Sequence, residues 1–506
     1  MNVFSNARVY GYDPTGKTFL RYDALVTDGP RIASLGSSRV GAGIENVDLA
    51  GATVLPAFAD CHVHVTDTGY FLDERNLNPA RSYGEFAAAI ERLAADRVVF
   101  AGQYDESTWR DGKLADARPL EAAHPDALAL LVRVDGHSCI VNHKTFAWLD
   151  LPADTEGIER ACDGRSTGKL FLTANWRAQA AFMAELPSET KRAAERRAVE
   201  LALSRGALHL HAQLVGFKRD EYAVEIAALK DLPGVKWYPK ICEPDPQLAR
   251  DLGLPYVGGD VFLDGSIGSC TAAVGEPFLV SSGGGEPGCG ELRYSDERVL
   301  DYFETAERLG VSAGVHAIGD RAIEQCVSTW ERVLDGKPSV RGNRHFIEHF
   351  EIAQPQHIER CARLGIYLSM QPQFDMLWGG VGRMYDQRLG TPRMRSMNAL
   401  ARAERAGAIL CGGDDSPVCA FNPLEGMQSA IAHHEPGERL TAAQALAMYT
   451  YNAALLGHAE KVTGNLVPGL AADFVVLDGD PLDGTAFDEC SVLQTWSDGK
   501  CVYSRD

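Results

Sequence analysis

The strongest constraint on this chain is a long centre in which short apolar runs alternate with helical stretches, framed at both ends by β-rich segments. Candidate central strands recur at 53–60, 206–211, 235–239, 260–263, 311–316, 345–349, 365–369 and 408–411. Helix-period stretches fall between them, for example at 185–204, 297–309, 322–334 and 354–364. Strands separated by helices predict parallel βα units. Eight such strands is the number that closes a TIM-like (β/α)8 barrel, so the expected class is α/β.

The ends read differently. Ala7–Tyr10, Asp23–Thr27, Arg31–Ser34 and Ala52–Leu55 are short β runs bounded by turn residues. Ala472–Leu477, Val492–Trp496 and Lys500–Tyr503 repeat the pattern at the far end. Pairing such distant segments costs loop-closure entropy unless the centre already brings the ends together. The expected organisation is a small β-sandwich from residues 1–57 plus 465–506, around a barrel spanning 58–464. Residues 70–190 fit no single βα unit and predict an insertion after the first barrel strand. The glycine-dense stretch 283–290 reads as a mobile loop.

Charge narrows the partners. With 69 acidic against 49 basic residues, the formal net charge is −20. Nucleic acids and anionic membranes both need clustered positive charge, so a small-molecule substrate is expected instead. The N-terminus lacks a basic region followed by an apolar run, and no apolar stretch is long enough to cross a bilayer. The 12 cysteines contain no C-x-x-C pair, which argues against a zinc ribbon or dithiol motif. These features predict a cytoplasmic protein with reduced thiols, and a homodimer is the default symmetric assembly.

The chemistry gathers at strand ends. His62 and His64 lie two apart after the first strand, so they share a face. His316, His349 and Asp415 end three later strands, at the C-terminal rim where barrel enzymes work. A lone His on an apolar strand is more often a satisfied core residue than a ligand. Here, though, several of only 14 histidines stand at separate strand ends, followed by an Asp in a Gly-rich turn. Imidazoles with a carboxylate suit zinc, with iron or manganese as alternatives.

The stretches Pro56–His64, Val134–Asn142, Phe262–Ser269, Val315–Arg321, Arg344–His349 and Gly413–Val418, in that order, resemble the amidohydrolase superfamily. The resemblance is to its family-3 branch of N-substituted formamide deformylase-like, metal-dependent hydrolases. It implies that His62 and His64 hold a first metal and that His316 and His349 hold a second or orient water. It also implies that Asp415 touches the metal and acts as base towards a metal-activated water. Asp414 is expected to pack or cap.

One position departs from the pattern. Where relatives carry a lysine four residues before the Asp-Gly-Ser motif, this chain has Asp260. Either Asp260 joins a binuclear site, or the site holds one ion on His62, His64, His316 and Asp415, with His349 as acid/base. The mononuclear form is the working expectation, and Lys240 is expected at the surface or core edge. His137, Asp264 and Gln371 are candidate substrate-binding residues. The implied reaction is hydrolysis of a non-peptide C–N bond in an amide, formamide or cyclic amide. A heterocycle or amidine deaminase is the alternative, although the nearest acid after His316 is Asp320 rather than a Glu. A catalytically decayed binding protein is the third reading.

Overall fold

The computed structural model describes residues 1–36, 45–94, 97–281 and 286–505. Of the glycine-dense stretch 283–290, residues 283–285 lie outside the described residues.

The chain has a mixed α/β architecture. Its central strands are β1 (Phe58–Val63), β2 (Ala207–Leu214), β3 (Lys236–Trp237), β4 (Lys240–Ile241), β5 (Tyr256–Val257), β6 (Ser312–Ala317), β7 (Phe346–His349), β8 (Tyr367–Met370) and β9 (Leu410–Gly412). Strand β2 pairs in parallel with β1, β3 and β4, while β5 to β9 form a second parallel sheet in chain order. Backbone bonds join the two arrays on either side. Gly258 N–H donates to Ile241 O at 2.8 Å, and Asp415 N–H donates to His62 O at 2.8 Å.

Three expected strands are cut differently, each for a local reason. The 53–60 run divides: Thr53–Pro56 joins a terminal sheet, and β1 begins at Phe58. The 235–239 run becomes the two short pieces β3 and β4, because Pro239 between them has no N–H to give the ladder. At 260–263 only an isolated bridge survives, Phe262 to His316, while the paired strand β5 lies earlier. Gly258 and Gly259 separate the two, with φ of +86° and +114°. A Cβ at Gly258 would lie 2.0 Å from Gly314 O, so only glycine fits this close approach.

Helices pack against the strands by their apolar stripes. Asp320–Val333 buries Ala322, Ile323, Cys326, Val327 and Trp330, which recur at helical spacing. Trp330 stacks on Phe303 of the Asp296–Leu309 helix, with ring centroids 3.7 Å apart. Burying a side chain of that size stabilises by roughly 2–3 kcal/mol.

Both termini contribute to one six-stranded sheet, in which Phe474–Leu477 pairs antiparallel with Thr53–Pro56. A four-stranded sheet of N-terminal strands alone packs near it, and Phe4, Val9, Leu25, Val54, Phe474 and Val476 share one core. Between β1 and β2 the chain forms a further five-stranded sheet from strands between Val98 and Phe171. The Leu172–Glu185 helix follows that sheet and brings Trp176 and Met183 to the cavity described next.

Candidate active site

Six expected residues converge at the C-terminal ends of the central strands. His62 leaves β1, and His64 follows two residues later. His316 lies on β6, His349 ends β7, Asp415 follows β9, and Asp260 lies just beyond the Gly258–Gly259 turn. Their front atoms crowd together. His62 Nε2 stands 3.3 Å from both Asp260 Oδ2 and Asp415 Oδ1. His64 Nε2 stands 3.2 and 3.1 Å from the same two oxygens. Across Asp260, its other oxygen Oδ1 lies 3.7 Å from His316 Nδ1 and 3.8 Å from His349 Nε2. Asp260 thus presents one oxygen to each of two histidine pairs.

The opposite side of the imidazoles is occupied by acceptors. His349 Nδ1–H donates to Gln371 Oε1 at 2.8 Å, and His316 Nε2–H donates to Gly265 O at 3.2 Å. His62 Nδ1 faces Glu348 Oε2 at 2.9 Å. A neutral imidazole that spends its proton on the back bond turns a lone pair to the front. Glu348 is itself held by Lys240, whose Nζ donates to Glu348 Oε1 at 2.5 Å and to Cys61 O at 2.9 Å. Lys240 is therefore not at the surface or core edge. It is buried behind the site, where its charge compensates Glu348.

The electrostatics show what the cluster lacks. Burial would raise the Asp260 and Asp415 carboxyls, but the facing histidines outweigh it and hold both below the usual range. Burial would depress His64, yet Asp260 and Asp415 push it up to about 10. Positive charge is demanded at the centre of a buried nest of acceptors. His62 Nε2, Asp260 Oδ1, His316 Nδ1 and Asp415 Oδ1 are buried with no protein hydrogen bond. Two ligands of one ion, each about 2.0–2.2 Å from it, stand roughly 3–3.5 Å apart. The spacings around His62, His64 and Asp415 match that value. His62 with Asp260 and His349 makes a second group whose ligand atoms fall within metal-binding reach of one another. The residues fit a metal.

Backbone strain marks the same place. His349, Phe350 and Asp415 have φ of +71°, +53° and +53°, values that non-glycine residues rarely adopt. Along a regular strand Glu348 and His349 would point to opposite faces. The turn at His349 and Phe350 lets both serve the cluster, and for that reason the sequence reading missed Glu348.

A cavity of about 420 Å³ opens from the cluster. His137 lines it from the inserted segment, its ring 5.2 Å from that of His316, and burial lowers it to about 3, so it is neutral. The two other expected substrate contacts lie elsewhere. Gln371 is buried behind His349, and Asp264 accepts from the backbone N–H groups of Ala273, Ile318 and Gly319. Asp414 is buried as a backbone acceptor, taking the N–H of Asn422. Phe262, which opens one of the family-like stretches, also lines the cavity, as do Trp378, Glu351, Trp176, Tyr385 and Arg293; the last four carried no motif signal in the sequence.

The sequence profile of the Amidohydrolase family matches residues 45–503, which include all six cluster residues. The chain belongs to the amidohydrolase family. This amidohydrolase is 26% identical over 545 residues to an N-substituted formamide deformylase of Arthrobacter pascens, covering 95% of each chain. It is 27% identical to the protein LONG AFTER FAR-RED 3 of Arabidopsis thaliana, covering 95% of this chain and 88% of that one. The crystal structure of an uncharacterized metal-dependent hydrolase from Pyrococcus furiosus superposes with a TM-score of 0.72 at 25% identity. That match covers 95% of this chain and 99% of the other. The amidohydrolase is a hydrolase of carbon–nitrogen bonds other than peptide bonds. No helix among the described residues is long and apolar enough to cross a membrane.

Proposed function

We propose that this amidohydrolase is a metal-dependent hydrolase of amides, formamides or cyclic amides, whose two divalent ions would be held by Asp260 together with both histidine pairs and Asp415. The observation that carries this reading is the placement of Asp260, one oxygen towards His62 and His64 and the other towards His316 and His349. It departs from the single-ion expectation, because a short carboxylate spans both histidine pairs without the longer lysine. The first ion would sit on His62, His64, Asp415 and Asp260, and the second on His316, His349 and Asp260. Zinc suits this nitrogen and oxygen set, with iron and manganese as the competing metals. The same proposal closes the central strands into a (β/α)8 barrel over 58–464. Residues 70–190 are its insertion, and 1–57 with 465–506 form a small β domain.

When bound, such ions polarise a carbonyl and bring the pKa of water near neutrality. Asp415, at the cavity wall, accepts the proton released as water oxygen bonds to the carbonyl carbon. It passes that proton to the nitrogen as the C–N bond breaks, so the products are an acid and an amine. His349 is held as a ligand by Gln371 rather than left as a mobile acid/base. Neutral His137 stands over the site as a hydrogen-bonding partner for the substrate. The deaminase reading expects a Glu shortly after His316 in the chain; the nearest acid there is Asp320, whose Oδ1 accepts from Gly275 N–H.

The test is amine and acid release from a panel of formamides, acetamides and cyclic amides. Asp415→Asn should lower kcat by about 10²- to 10⁴-fold. Full activity in that variant, or ammonia release from heterocycles alone, would overturn the proposal.

A further inference from the structure

Two cations near the cavity are already engaged. Lys240 is committed to Glu348 behind the cluster. Arg133, buried in the wall, is shared among Asp105, Glu106 and Asp135. Arg293 differs. Its guanidinium lines the cavity at the exposed mouth and makes no ion pair or side-chain hydrogen bond to any described residue. It lies over two aromatic faces, 5.6 Å from the Trp176 ring and 5.8 Å from the Phe262 ring. Those rings stack on each other at 4.5 Å, and Phe262 lies 4.9 Å from the His316 ring. The backbone fixes this position too, since Arg293 N–H donates to Leu263 O at 2.8 Å, three residues beyond Asp260.

The guanidinium carbon is within cation–π range of both rings, and its N–H groups donate to no side chain among the described residues, so the N–H edge is open. That edge is a planar fork matching a carboxylate. The cation is therefore anchored one aromatic ring from the ligand cluster, with its recognition edge unspent. Between the two, Phe71, Phe100, Met183, Phe374 and Trp378 give the cavity an apolar body. The acids Asp67, Glu243 and Glu351 also line it, and Arg177 is a second cation at its rim. None of the three acids forms an ion pair with Arg293 among the described residues, and the carboxylate whose charge reaches it, Glu156, does not line the cavity.

Resting on the hydrolase reading above, we infer that Arg293 is a specificity-determining residue that binds a carboxylate on the substrate. The substrate class is then an amide with an apolar body and a carboxylate remote from the scissile bond. The long-range field of a chain with net charge −20 repels such an anion, which gives a local guanidinium at the mouth its purpose.

Two arms separate this inference from the reading beneath it. In the first, calorimetry measures binding of 3-phenylpropanoate and of the neutral 3-phenylpropanol to the metal-loaded protein. The carboxylate should bind at least about 10-fold more tightly, and Arg293→Met should abolish that preference, with Arg293→Lys intermediate. Equal binding of the two, or a preference unchanged in Arg293→Met, overturns the inference whatever the enzyme hydrolyses. In the second, matched formamides and acetamides with and without a carboxylate are assayed. Arg293→Met should raise KM about 10-fold or more for the acids and leave kcat and the neutral amides within about 2-fold. Hydrolysis of both sets with no Arg293 dependence also overturns the inference. Failure to cleave either set, with binding as expected, instead overturns the amide-hydrolase reading and leaves Arg293 as an anion-binding residue.

Discussion

Behind His62, the Lys240–Glu348 pair is as consequential as the ligands themselves. Both side chains are buried, so removing one leaves the other charged and without compensation. Breaking such a pair costs about 3–5 kcal/mol, whereas replacing both charges costs far less. Lys240→Met should therefore lower Tm sharply, and Lys240→Met with Glu348→Gln should recover most of the loss. Metal affinity should fall about 10- to 100-fold in the double variant, because the carboxylate that backs His62 Nδ1 is replaced by a neutral amide. A double variant with unchanged affinity would show that Glu348 does not orient His62. At this scale the sequence was informative where chemistry follows strand period. His62-x-His64 reads directly, because residues two apart share a face. Glu348 was hidden by the same rule, since the positive φ of His349 and Phe350 breaks the alternation. Gln371 and Asp264 had the right polarity and proximity, but direction decides role: one is turned behind His349 and the other into backbone amides.

Among the elements, the turn between β5 and the 260–263 segment places Asp260. Gly258 has a left-handed backbone and a neighbour, Gly314 O, where a Cβ would point. Gly258→Ala should cost more than the roughly 1–2 kcal/mol of the left-handed conformation alone, and it should weaken metal binding by displacing Asp260. Thermal unfolding with and without added zinc measures both effects. A fully stable, metal-replete variant would mean that the turn does not position Asp260. The helices of the centre were readable to within a few residues because apolar spacing and caps act locally. The Asp296–Leu309 helix, for instance, starts where Ser295 accepts from Arg298 N–H. The short strands were less legible. A two-residue strand such as β5 carries no period, and its pairing depends on close approaches that only three-dimensional contact reveals.

In the molecule as a whole, the joint between centre and C-terminal segment holds a buried histidine. His209 of β2 has Nε2 3.1 Å from the hydroxyl of Thr463 and 3.7 Å from Asp473, with Lys236 and Tyr238 also nearby. Burial lowers its pKa to about 4, from an ordinary value near 6.5. A depressed folded-state value contributes stability that is present above pH 6.5 and lost as pH falls towards 4. The contribution is on the order of 3 kcal/mol. Tm should drop over that window, and His209→Gln should flatten part of the fall; an unchanged slope would remove His209 from the account. The pairing of both termini in one sheet was readable from β runs at each end, and the two-array centre from its alternation. The carboxylate between the histidine pairs was the undecided point, because sequence gives a residue type and no direction. It is also the point on which the function turns. The direct measurement is metal content per chain, by plasma mass spectrometry, of protein purified without added metal and of its Asp260→Ala variant. Two equivalents in the natural chain, falling to one or fewer in the variant, is the predicted result. A single equivalent that survives the loss of Asp260 would contradict the two-ion site.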